Sequence, residues 1–158
     1  MGCPPEVPVT GERKSVKILG AIELWRTQFN YRQDTVFNAA TYLGFLEQLA
    51  RRYRRQGAIM IQDNASYHKE AEVWSWFKSN RHWLEVHQLP PYSPELNPVE
   101  YLNNDMKGQV NKAGLPDSRG TLHTRIVSFM EHLANVPKHV ISYFLNPWVQ
   151  YAAPVELL

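Results

Sequence analysis

Asp63 follows directly on the short apolar run Ala58-Ile59-Met60-Ile61, and Glu100 stands three residues after Asn97 in Asn97-Pro98-Val99-Glu100. Two carboxylates carried on the ends of different elements can converge on one point. Hard oxygen donors gathered in that way suit Mg²⁺, and a Mg²⁺ site of that kind serves hydrolysis or strand transfer at a phosphodiester. Each residue also has a plainer reading. Asp63-Asn64 is a common turn pair, in which Asp caps its own backbone. Asn97-Pro98-Val99-Glu100 matches a helix start, with Asn as N-cap, Pro at the first helical position and Glu as a capping-box partner.

The elements that must position these groups are readable from spacing. Residues 16–22 form a mostly apolar run of strand length, and residues 28–31 suit its antiparallel partner. From Ala39 to Tyr53, Leu43, Leu46, Leu49, Ala50 and Tyr53 recur at helical spacing until Gly57 breaks the pattern. The wholly apolar run 58–61 predicts a strand buried on both faces, with Asp63 at its C-terminal end, where open α/β sheets bind their ligands. Residues 71–78 read as a helix opened by His68, 83–89 as a strand, and a further helix begins at Pro98. On that helix Val99, Leu102, Met106 and Val110 form one apolar stripe. Glu100, Asn104, Lys107 and Asn111 border it, well placed to face a cleft. Pro90, Pro91, Pro94 and Pro98 stiffen the approach to Glu100. Leu122 to Leu133 is amphipathic, Val136-Pro137 ends it, and a short helix over 138–145 closes the chain. The order is that of an α/β layer fold.

A chain of 158 residues, 44% hydrophobic and 20% charged, fits one folded domain. A single cysteine excludes a disulfide framework and a thiolate metal cluster, and points to a reducing, intracellular setting. The six histidines lack zinc-protease spacing, and no apolar run approaches membrane-spanning length. Net charge is only +2, with a local excess in Arg51-Arg52-Tyr53-Arg54-Arg55. Those arginines are candidate phosphate contacts, or simply the cationic last turn of a helix.

Asp63-Asn64-Ala65-Ser66-Tyr67-His68, followed by Leu89-Pro90-Pro91-Tyr92-Ser93-Pro94-Glu95-Leu96-Asn97-Pro98-Val99-Glu100, resembles the DDE transposases of bacterial insertion sequences related to mariner elements. The mid-thirties spacing between the two acids suits that family. Residues 17–21 resemble its second strand and 41–49 its first helix, so the resemblance covers most of residues 10–112. It implies an RNase H-like, integrase-type catalytic core with a helical C-terminal extension. It further implies three acids holding two Mg²⁺ (or Mn²⁺) ions for cleavage and transfer of DNA strands at element ends. Asp63 matches the second acid and Glu100 the third. Asn64, His68, Tyr92 and Asn97 match positions that shape the site, His68 being also conceivable as a base.

The family's first Asp has no counterpart here: Glu6 and Glu12 lie in a Pro- and Gly-rich arm, and Glu23 ends a later strand. The expected division is an irregular arm over 1–12, a partial catalytic domain over 13–112 and a helical extension over 113–158. Without the family's first strand, the edges of 16–22 and 58–61 would stand unpaired. The expectation is a truncated or split transposase, inactive alone unless an N-terminal fragment completes it. Its partners would be transposon-end and target DNA, that fragment, and further copies in a dimer or larger complex. It would be cytoplasmic and nucleoid-associated, with no membrane partner. The alternative is an inactive remnant that only binds DNA or transposase subunits.

Overall fold

The computed structural model describes residues 16–23, 26 and 28–153. The arm read into residues 1–12 lies outside them. Strand β1 (Lys17–Glu23) pairs antiparallel with β2 (Gln28–Asp34), Gly20 facing Tyr31. Helix α1 (Ala39–Tyr53) has the bounds its periodicity predicts. Asn38 and Thr41 cap it reciprocally, side chain to backbone in both directions. Arg51 and Arg52 fall in its last turn, where cations complement the helix dipole. Gly57, at φ 80°, then makes the left-handed turn into β3 (Ala58–Gln62).

Strand β3 runs parallel to β4 (Leu84–Gln88), Ala58 facing Leu84 and Gln62 facing Gln88. The crossover holds a one-turn 3₁₀ helix (Ser66–Lys69) and α2 (Ala71–Asn80). Helix α2 starts at Ala71 as expected, but His68 does not open it. His68 belongs to the 3₁₀ turn before the helix, and it is buried, its ring 4.2 Å from that of Tyr42 and 4.6 Å from that of Tyr67. After β4 the proline loop leads into α3 (Pro98–Asn111), then α4 (Arg119–Asn135) and α5 (Pro137–Ser142). None of the described helices is long and apolar enough to cross a membrane.

The described strands form two separate two-stranded sheets, β1-β2 and β3-β4. Their hydrophobic residues likewise gather into two clusters. One joins Ile18 to Leu102, Met106 and Val110 of α3 and to the apolar face of α4 and α5. The other joins Leu19 to Tyr42, Phe45 and Leu46 of α1, Val73 and Phe77 of α2, and Leu84 of β4. Strand β1 thus feeds both clusters from its alternate faces. Strand β3 does not. Ala58 and Met60 pack on the α1–α2 side, but Ile59 is 69% exposed and Ile61 42%. The expectation that this strand is buried on both faces fails on the second face, where nothing described covers it.

Candidate active site

Strand β3 ends at Gln62, so Asp63 emerges where the pleat stops. Its Oδ1 accepts from the Ala65 amide at 3.1 Å and lies 3.1 Å from Nδ1 of His68. The same ring nitrogen is 2.9 Å from the Asp63 backbone oxygen. The turn reading and the site reading of Asp63 are therefore one structure: the Asx-turn fixes the carboxylate, and the buried imidazole braces it. Burial pushes the Asp63 carboxyl up, but the hydrogen bonds from His68 and the Ala65 amide outweigh that, and its pKa is held below the ordinary carboxylate value.

Glu100 comes from the first turn of α3. Asn97 caps that helix, accepting from the Val99 amide at 3.1 Å, and Pro98 occupies its first position. Glu100 and Asp63 line the same two hollows, one of 450 Å³ between the half-sheets and one of 170 Å³ under the proline loop. Burial raises the Glu100 pKa, the negative charge of Asp63 raises it further, and Lys107 partly offsets both. Two carboxylates shifted in opposite directions, one by the charge of the other, mark a place where a positive ion would relieve repulsion.

A stability prediction follows from the sign of that shift. A carboxyl whose pKa is raised on folding costs stability when ionised, so the cost is present above its folded pKa and vanishes below its unfolded one. Glu100→Gln is expected to raise the melting temperature at pH 7 by about 1–3 °C. The gain should close as pH falls through the carboxylate range. Thermal melts at pH 7 and pH 3.5 check this, and a lower melting temperature at pH 7 would contradict it.

The other expected site residues divide. Asn64 donates to the Leu89 carbonyl and so ties the end of β3 to the end of β4. Asn97 lines both hollows. Tyr92 lines the smaller one, 88% exposed and at φ 56°, a left-handed backbone that non-glycine residues seldom adopt and that often marks a functional loop. The charge of Lys107 lowers the Glu100 pKa, but Lys107, like the exposed Asn104, lines neither hollow.

Arg51, Arg52, Arg54 and Arg55 are not brought to the carboxylates. They sit at the end of α1, at the opposite end of β3 from Asp63. Arg52 donates to Asn30 at 2.9 Å and to Gln28, and Arg54 reaches Asn80 at 3.5 Å.

Two further residues belong to the site without having been singled out from sequence. Lys69 lines the smaller hollow beside Asp63 and Glu100. Gln62, buried, accepts from the Tyr42 hydroxyl, while its Nε2 has no partner among the described residues. A Lys two residues past a polar turn gives no sequence signal of its own; the 3₁₀ turn folds it back.

The donor set is oxygen and anionic, which fits Mg²⁺ or Mn²⁺ and not zinc. Asp63 and Glu100 would hold the ion. Among the described residues no group of three or more His, Cys, Asp or Glu is placed to hold a metal ion.

A family model described as DDE superfamily endonuclease matches residues 1–123. The chain belongs to that superfamily. DDE endonucleases generally use divalent metal ions, in keeping with the donor set. No curated protein matches the sequence. Among solved structures, a chain of the simian T-cell lymphotropic virus intasome, in complex with PP2A regulatory subunit B56 gamma, aligns with TM-score 0.59 and 14% identity. The alignment covers 80% of this DDE chain and 46% of the intasome chain, so this chain spans less than half of that relative. The catalytic core domain of BIV integrase aligns with TM-score 0.50 and 18% identity, over 72% of this chain and 74% of that one. At such identities the likeness is one of fold: this is an RNase H-like, integrase-type α/β core.

Proposed function

We propose that this chain is the catalytic portion of an insertion-sequence transposase, cutting and transferring DNA strands at element ends. The carrying observation is the convergence of Asp63 and Glu100 on one cleft with opposed pKa shifts. Divalent ions, when bound, supply activation of the attacking water or 3′-hydroxyl and stabilisation of the leaving oxygen. The chain's own residues do the rest. His68 and the Ala65 amide hold Asp63 ionised and aimed. Pro98 and the Asn97 cap fix the turn of helix that carries Glu100. The stiff proline loop walls the smaller hollow, and Lys69 offers a cation where a DNA phosphate would enter.

Two acids are fewer than the resemblance implies. The reading therefore includes a third carboxylate from outside the described residues. Transposon ends, target DNA and further copies of the chain are the partners that this function calls for. The alternative is a remnant that binds without cutting. Co-expressing the chain with its upstream coding sequence, then assaying Mg²⁺-dependent nicking of element-end DNA, separates the two: no nicking by the complete complex would leave the remnant.

Lys69 carries its own prediction. Lys69→Ala is expected to weaken DNA binding roughly fivefold and to lower the slope of log affinity against log salt by about one. A salt titration of binding checks it. Arg51→Ala, far from the carboxylates, serves as the comparison, and an equal loss there would remove the special role of Lys69.

A further inference from the structure

Ligating side chains also converge away from the cleft. His132 stands in the last turn of α4, and His139 lies in α5, seven positions on. Between them Val136, at φ −125° and ψ 78°, leaves the helical region, and Pro137 starts α5 as a new helix. That corner turns the two rings toward each other. Nε2 of His132 lies 3.0 Å from Nδ1 of His139, with ring centres 5.1 Å apart and planes at 74°. On its far side His139 sets Nε2 2.6 Å from Oδ2 of Asp105, on α3, and the Tyr143 hydroxyl donates to the same oxygen at 2.6 Å.

These bonds settle which nitrogen of His139 is available. A carboxylate oxygen only accepts, so the ring carries its proton on Nε2, and Nδ1 presents its lone pair to His132. Tyr143 keeps its proton and its donating role, because burial and the Asp105 carboxylate push its hydroxyl pKa up. A carboxylate behind an imidazole is the arrangement that fixes tautomer and ring orientation in metal-bound histidines. Packing holds the ring as well: it meets Phe129 edge-on at 6.1 Å and Tyr143 at 5.5 Å. His132 is exposed and has room to turn.

We propose that Nε2 of His132 and Nδ1 of His139 chelate one borderline transition-metal ion of the Zn²⁺, Ni²⁺ and Cu²⁺ class, with Asp105 as the positioning residue behind His139 and water filling the remaining coordination sites. The distances suit it. An ion about 2.0–2.1 Å from each nitrogen, at a tetrahedral angle, sets its two ligands roughly 3.3–3.4 Å apart. The rings need to part by only about 0.3–0.4 Å, which the exposed His132 supplies. On binding, His132 releases its Nε2 proton to solvent by keeping the one on Nδ1, and the metal–nitrogen bond replaces the hydrogen bond. Imidazole nitrogens favour these ions over Mg²⁺, so this pair and the carboxylates Asp63 and Glu100 select different metals. Asp105, His132 and His139 line neither hollow, so the ion takes no part in the chemistry there. It staples α4 to α5 and, through Asp105, bears on α3, whose first turn carries Glu100.

The probe is Zn²⁺ alone, titrated into the 158-residue chain in competition with a chromophoric chelator. One equivalent is expected to bind, and saturating Zn²⁺ should raise the melting temperature by at least about 3 °C. His132→Gln decides between a metal site and a plain hydrogen-bonded tie. Its amide can still donate to His139, but it is a poor zinc ligand. Without metal it should melt like the parent, while its zinc affinity falls at least about tenfold and the metal-dependent shift disappears. Asp105→Asn should lower the affinity by about ten- to a hundredfold, since its amide can donate to Nε2 and drive the ring proton onto Nδ1. Nitrogen NMR of the His139 ring should show that change of tautomer. His87→Gln removes an exposed histidine paired with Glu85 and should change nothing. The proposal falls if the chain binds no Zn²⁺, or if His132→Gln binds it as the parent does. An equal loss in His87→Gln would also overturn it, since scattered surface histidines would then hold the ion. Displacement of Zn²⁺ by excess Mg²⁺ would put the ion at Asp63 and Glu100 and overturn it too. Undiminished affinity in Asp105→Asn would remove the positioning role of Asp105.

Discussion

Asp63→Asn and Glu100→Gln are each expected to lower Mg²⁺-dependent nicking of duplex DNA by at least about a thousandfold in the completed complex. The reasoning is electrostatic. Each carboxylate contributes a full negative charge to a cation site, and the amide that replaces it keeps shape and loses charge. Because Asp63 raises the pKa of Glu100, the two act as a coupled pair. The double variant should therefore lose little more than either single one. His68→Asn is the informative companion. It keeps a hydrogen-bond donor near Asp63 but removes the ring packed on Tyr42, so it should cost roughly tenfold and shift the pH profile, not abolish turnover. Gel-based nicking assays with and without Mg²⁺ give these numbers. Robust nicking by the isolated chain, abolished by Asp63→Asn, would show that two acids suffice and that no third is needed.

What could be read from the sequence, and what could not, divides along one physical line. Local pattern fixes elements. The period of Leu43, Leu46, Leu49 and Tyr53 marked α1 to its observed bounds, and Asn97-Pro98 marked the start of α3. Asp63 and Glu100 were legible because a strand end and a helix start are both local events, and each carried a distinctive string of neighbours. The exposed face of β3 was not legible. Apolar residues state what would gain from burial, and Ile59 and Ile61 say nothing about whether another strand is there to bury them. Lys69 and Gln62 were missed for a similar reason, since their relevance comes from where a 3₁₀ turn and a cleft put them. The same holds for Asp105, whose Oδ2 accepts from Nε2 of His139 and from the Tyr143 hydroxyl, each at 2.6 Å. That network ties α3 to the C-terminal elements through residues more than thirty positions apart, and no spacing rule announces it.

Leu46→Ala and Leu102→Ala are each expected to destabilise the chain by about 2–5 kcal/mol, and to do so in different places. Both side chains are fully buried, Leu46 in the cluster under α1 and α2, Leu102 in the cluster under α3 and α4. A loss of that size is a large share of the total stability of a domain this long. With the half-sheets unpaired, β1 is the strand that packs into both clusters, through Ile18 and Leu19. The two halves should then open as partly independent units. In the free chain, Leu46→Ala should accelerate amide exchange across α1 and α2 while leaving α4 nearly unchanged, and Leu102→Ala should do the reverse. Equal acceleration of both halves in the free chain would mean that the clusters already fold as one, and that the cleft between the sheets divides them in space but not in energy.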